Sequence, residues 1–371
     1  MTRKISRSLL KASRFARLGA IMVAALVALP MVASANPVMV VDVATGRVVE
    51  HRDAFRKWYP ASLTKLMTAY TTFKAIRRGE VTLQTPVTMT KRAASEPPSR
   101  IGFKVGSQMT LDSALKIMLV KSANDVSVAV AETVGGSLEN FMVRMNAEAA
   151  GLGMTSSRFI NPHGLPGAGQ YTTARDLAIL SLAIRREFPE YAGYFSLEGI
   201  DTGKKVYANY NLLIGRFDGA DGMKTGYICA SGFNQISSAT RNGRTVITVV
   251  LGADSLGARA DMSADLLQKA LVSRPEGPKI ETLAPYGEGR DVVTDISAEI
   301  CNPKARQVRS EGRDDAGRMK MLSPYIHELA HPPRPVFAGV IPGTEPVDAK
   351  PEKGGANKIA NVPIPIPRPT F

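Results

Sequence analysis

Two strand-rich stretches sit at opposite ends of the first 272 residues, and helical patterning fills the space between them. PVMVVDVATGRVVEHR, residues 37–52, has two β-rich runs around Ala44-Thr45-Gly46 and reads as a hairpin. GMKTGYICASGFNQISSATRNGRTVITVVLGA, residues 222–253, is strand-rich again, and Asn242-Gly243 between two β runs is a type I′ hairpin signal. Between them, residues 62–78, 111–120, 124–134, 138–154 and 173–188 carry apolar residues at helical spacing, and 255–272 is a last helix. Thr173 is suited to capping its helix, and Asp112 to a helix first turn. The economical solution is an α/β (α+β) fold: one antiparallel sheet made from both ends, flanked by helices, with a helical subdomain inserted.

Residues 1–35 read as a signal peptide. Six Lys and Arg precede the apolar run 18–33, no acid occurs, and Ala33-Ser34-Ala35 has the small-x-small pattern of a cleavage site. The run is short for a membrane span and contains Pro30. The expected location is therefore extracytoplasmic, in the periplasm. The segment also carries six of the formal +14 charges, leaving 14 − 6 = +8 for the rest. That charge suits an anionic envelope, and no zinc-finger spacing, RNP motif or basic helix points to nucleic acid.

The catalytic domain is expected over 36–272. Patterning weakens over 273–331, an extension of unassigned structure. From Pro332 to Phe371 there are ten prolines in forty residues, so this tail is expected to be extended or disordered. No amphipathic C-terminal helix is visible, which weighs against membrane attachment. Cys229 and Cys301 are the two cysteines; export permits a disulfide, and whether they approach is open. The four histidines are scattered, so neither a metal nor another cofactor is expected. His163, in a turn-rich segment, reads as structural; the helix-spaced methionines read as core, and Asp218 and Asp221 as loop acids.

Three short motifs carry the chemistry. Ser62-Leu63-Thr64-Lys65 is S-x-x-K, Ser122-Ala123-Asn124 is S-x-N between two helices, and Lys224-Thr225-Gly226 is K-T-G at the start of a strand. Residues three apart on a helix share a face, so Lys65 stands one turn beyond Ser62. A serine needs a base at hydrogen-bond distance to become a nucleophile. A lysine serves only if burial and a neighbouring ammonium, here Lys224, depress its pKa. Ser62 near a helix N-terminus also sits where developing negative charge is favoured.

In this order and context the motifs resemble the low-molecular-mass penicillin-binding proteins that act as D-alanyl-D-alanine carboxypeptidases. PASLTKLMTAY, KSANDVSVAVAE, NPHGLPGAGQYTTARDLA and DGMKTGYICASGFNQISSAT extend the resemblance over residues 37–272. It implies the sheet-and-helix fold shared with serine β-lactamases and an acyl-enzyme on Ser62. Lys65 would be the base and Ser122 a proton relay to the departing D-alanine. Asn124 would bind the peptide and hold Lys65. Lys224 and Thr225 would meet the terminal carboxylate, and Gly226 would let substrate backbone approach the strand. The N–H groups of Ser62 and Tyr227 would form the oxyanion hole. Arg259 resembles an arginine near the carboxylate pocket, with a solvated surface arginine as the alternative.

The implied partners are stem peptides ending in D-Ala-D-Ala, with β-lactams as covalent inhibitors. Tyr227-Ile228 stand where the family often has His-Thr, and Ala123 where Gly is common. Three alternatives remain at this level: a DD-endopeptidase that cuts cross-links, a β-lactamase, and a non-catalytic wall-binding module. The β-lactamase reading lacks its E-x-x-x-N loop, since Glu187, Glu190 and Glu198 have no Asn four residues on.

Overall fold

The computed structural model describes residues 36–305, 307 and 320–346; the expected signal peptide and the end of the Pro-rich tail lie outside them. In chain order the strands are β1 (Val38–Asp42), β2 (Val48–Arg52), β3 (Pro86–Thr88), β4 (Gln108–Thr110), β5 (Gly199–Asp201), β6 (Val206–Ala208), β7 (Ala220–Ile228), β8 (Gly232–Arg241), β9 (Arg244–Ala253) and β10 (Pro335–Phe337). The helices are α1 (Thr64–Arg77), α2 (Lys91–Ala94), α3 (Leu111–Val120), α4 (Asn124–Gly135), α5 (Leu138–Gly151), α6 (Ala174–Glu187), α7 (Leu256–Val272) and α8 (Ser297–Ile300).

The principal sheet has the order β2-β1-β9-β8-β7 and is antiparallel throughout. Strands from both ends of the domain therefore build one sheet, as the sequence pattern requires. Every side chain of β1 is buried. Met39 and Val41 pack with the helical block, while Val38 and Val40 face Ala260, Ala264 and Leu267 of α7. Period-two alternation normally gives one wet face. Here both faces are covered, which is why β1 reads as a continuous apolar run. The β8–β9 turn has Asn242 and Gly243 at φ 50° and 74°, the geometry the dipeptide predicts.

Helix starts follow their capping residues. Thr110, Ser137, Thr173 and Ser255 accept backbone N–H bonds from Ser113, Asn140, Asp176 and Ala258. The helix expected from residue 62 opens instead as a 3-10 turn, Ala61–Leu63, before α1. Helix α1 is enclosed on nearly every side; Leu66, Met67, Tyr70 and Phe73 are core, as their spacing predicts.

Residues after 272 pack against the preceding sheet and helices. Cys229 and Cys301 form a disulfide that joins the end of β7 to α8. Beside it, Ile296 N–H donates to Ala230 C=O and Thr294 N–H to Lys57 C=O. The N–H groups of Leu322 and Ser323 donate to Asp261 on α7. The disordered alternative for the tail does not hold at Pro335–Phe337, which pairs in parallel with β5 as an edge strand. Proline is tolerated there because it opens an edge strand, where its missing N–H breaks no central ladder. Asp221 is a second correction. It lies within β7, accepting from Arg185, Ser238 and Thr240, so it ties α6 to the sheet. Asp218 does lie in the turn before the strand. Among the described residues no helix is long and apolar enough to cross a membrane.

Candidate active site

Three segments converge at the free edge of β7. Ser62 is held in the 3-10 turn that leads into α1, and it is partly exposed while Ala61 and Leu63 are buried. Ala61 has φ 46°, so the residue before the serine sits in the left-handed region, at a cost of roughly 1–2 kcal/mol for a residue with a Cβ. Gly164 makes that conformation possible, because a Cβ there would fall 1.8 Å from the Ala61 carbonyl oxygen.

Lys65 follows one turn on, with no solvent exposure. Its Nζ donates to Ser62 Oγ at 3.1 Å, Asn124 Oδ1 at 2.8 Å and the His163 carbonyl at 2.8 Å. Burial, reinforced by the charge of Lys224, pushes its pKa well below the ordinary lysine value; Asp125 and Glu96 act in the opposite direction. A buried amine that can lose its proton, within hydrogen-bond reach of a serine hydroxyl, is equipped as a general base.

Ser122 has φ 61°, and this left-handed residue turns the chain from α3 into α4. Its Oγ accepts from Lys224 Nζ at 3.0 Å, and Lys224 also donates to the Thr225 carbonyl at 2.8 Å. Burial, with Arg259 and Lys121 nearby, brings the Lys224 pKa down to about 7. The Asn124 amide is committed at both ends, accepting from Lys65 and donating to Pro97 C=O at 2.9 Å.

Arg259 is 2 % exposed, so the surface alternative does not hold. Its guanidinium reaches the carbonyls of Asn234 and Tyr210 at 3.4 and 3.2 Å, and burial lowers its pKa to about 9. At Gly226 the space where a Cβ would stand is 2.9 Å from the Ser62 backbone nitrogen and 3.2 Å from Leu63 N, so the glycine admits the backbone of the Ser62 turn. Tyr227 extends its ring outward beside Phe233, with ring centroids 4.2 Å apart, and its hydroxyl is 3.3 Å from Cys301 Sγ.

Gly226→Ala is expected to lower the thermal midpoint, because the backbone at Ser62 and Leu63 must shift to admit the methyl group, and to lower the acylation rate about a hundredfold, the effect of displacing a reacting group by about an ångström. The second-order rate with a fluorescent penicillin checks this.

His163 is structural, as expected. Leu165 N–H donates to its Nδ1 at 3.2 Å, so Nε2 carries the hydrogen and faces Glu96 Oε2 at 3.1 Å. Burial and the charge of Lys65 hold the ring neutral, with a pKa of about 3. Its contribution is the carbonyl that receives Lys65. Sequence reasoning missed Glu96, whose only signal was an acid beside two prolines. It also missed Asn234, which donates to the carbonyls of Tyr59 and Pro60 and accepts from Gly252 N–H. A buried asparagine inside an apolar strand was the signal there.

A serine in the 3-10 turn that leads into α1, joined to a buried lysine on that helix, with a second buried lysine on the adjacent strand edge, defines the class: serine acyl-transfer enzymes on the fold shared with serine β-lactamases. Within that class the chain belongs to the D-alanyl-D-alanine carboxypeptidase family, whose sequence profile matches residues 24–255. It is similar to D-alanyl-D-alanine carboxypeptidase DacC of Escherichia coli K12, 36 % identical over 236 residues, covering 62 % of this chain and 59 % of that protein. It is also similar to DacA of Haemophilus influenzae, 32 % identical over 307 residues, covering 79 % and 78 % of the two chains. Among solved structures, penicillin binding protein 5 from Haemophilus influenzae superposes with a TM-score of 0.62 at 31 % identity, over 64 % of this chain and 70 % of that one.

Proposed function

We propose that the protein is a serine-type D-alanyl-D-alanine carboxypeptidase that removes the terminal D-alanine from peptidoglycan pentapeptides. The observation that carries this reading is the Lys65 Nζ to Ser62 Oγ contact at 3.1 Å, made by a lysine with no solvent exposure. Lys65 takes the hydroxyl proton as Ser62 Oγ attacks the carbonyl of the penultimate D-alanine. The N–H groups of Ser62 and Tyr227 receive the oxyanion. The C–N bond then breaks, Ser122 passes a proton to the departing D-alanine nitrogen, and an acyl-enzyme remains. Water attacks that ester, the bond to Ser62 Oγ breaks, and the shortened peptide leaves.

Lys224 and Thr225 hold the terminal carboxylate, with Arg259 behind them. Asn124 keeps Lys65 aimed at the serine. β-Lactams acylate the same oxygen and act as covalent inhibitors, which fits the name of the penicillin-binding relative. The substrate lies outside the cytoplasm, and the basic-then-apolar pattern of residues 1–35 supports export. The 229–301 disulfide sets Cys301 Sγ 3.3 Å from the Tyr227 hydroxyl, which supports a place for the extension after 272 on the site's rim.

The test incubates purified protein with pentapeptide monomer and with cross-linked dimer muropeptides. We expect release of D-alanine and a tetrapeptide product from the monomer, followed by mass, with the dimer left intact. Cleavage of the dimer at a faster rate than the monomer would replace this reading with the endopeptidase one.

A further inference from the structure

Lys121 caps α3 immediately before Ser122 and is only partly buried. Its Nζ donates to Ser99 Oγ at 2.7 Å and to the Tyr210 hydroxyl at 3.1 Å. The same ammonium lies 5.4 Å from the ring centroids of both Tyr207 and Tyr210. Three segments therefore meet on one cation: the loop between α2 and β4 at Ser99, the S-x-N turn, and β6 with the residues that follow it.

Lys121 and Arg259 gather around Lys224, which donates to Ser122, and among the described residues no carboxylate pairs with any of the three. Their acceptors are hydroxyls and carbonyls. Arg259 Nε has no hydrogen-bond partner although the side chain is buried. An ammonium has three N–H donors, and Lys121 uses two of them on neutral oxygens. Positive groups brought together without an acid, one holding an unpaired buried N–H, form a site that an anion completes.

We propose that Lys121 is a substrate-binding residue: the outer cation of the carboxylate pocket, which meets the anionic terminus of the peptide at the rim before Lys224 receives it. This rests on the carboxypeptidase reading and deepens it. Lys121 is the most accessible of the three cations, whereas Lys224 and Arg259 are each 2 % exposed. Ser99 and the two tyrosines hold it in place, so little side-chain freedom is lost when the anion arrives.

The test compares acylation by benzylpenicillin with acylation by its methyl ester, which lacks the carboxylate. Wild-type protein is expected to favour the acid. In Lys121→Gln the acid-to-ester rate ratio falls about tenfold, the range for losing a charged hydrogen bond, and Lys121→Arg restores it. Equal loss with both compounds would reduce Lys121 to a structural brace, and an unchanged ratio would remove it from the pocket; either outcome overturns the proposal. Failure of the wild-type protein to react with either compound would instead overturn the carboxypeptidase reading on which this one stands.

Discussion

Ser62→Ala is expected to abolish covalent labelling by fluorescent penicillin while the protein remains folded. The hydroxyl oxygen is the atom that would carry the acyl group, so no neighbouring residue substitutes for it. Loss of a nucleophile in a serine hydrolase costs roughly a millionfold in rate, which places the variant below detection. The structural cost is small. Ser62 is partly exposed, and its Oγ accepts one bond, from a lysine that keeps Asn124 and His163 as partners. The thermal midpoint should therefore move by only a few degrees. Full labelling in this variant would place the acyl group elsewhere, and no labelling in the wild type would favour a silent wall-binding module.

Lys65→Ala is expected to abolish acylation as well, for a different reason and with a different signature. The serine remains, but its hydroxyl has no base within reach. This variant is also destabilised, by about 2–5 kcal/mol, because truncating a long buried side chain leaves a cavity and strands buried oxygens of Asn124 and His163. Lys65→Met separates the two effects, since it fills most of the space without supplying a base. Both variants should fail to label, with the methionine protein melting closer to wild type. Normal labelling of Lys65→Met would remove the lysine from the role of base.

The parts of the site that were legible in the sequence are those carried by short contiguous spacing on regular elements. A three-residue interval spanning the 3-10 turn and the first turn of α1 fixes Ser62 beside Lys65 wherever that helix goes. The strand pattern likewise makes Lys224-Thr225-Gly226 a single edge. Groups joined only by tertiary structure were not legible. Lys121 and Tyr210 are 89 residues apart, and their contact depends on how two loops leave α3 and β6. Gly164 is needed because of Ala61, a relation that neither local segment contains. Arg259 could not be decided, because a charged helix residue is usually solvated and only the packing of α7 on the sheet buries this one. The tail was misread in part because proline content measures local preference, whereas pairing with β5 depends on the partner strand.

The order of strands in the principal sheet sets a timetable for biosynthesis. A chain that emerges N-terminus first exposes β1 and β2 early, yet β1 needs β9 on its other side, and β9 ends at Ala253. A two-stranded hairpin alone is marginal in water. The parallel partner of β5 arrives later still, at Pro335. For most of its synthesis the chain thus has no principal sheet to close around. Pairing at such long range slows folding, so the sheet that carries Lys224 closes only as the last third of the chain is made.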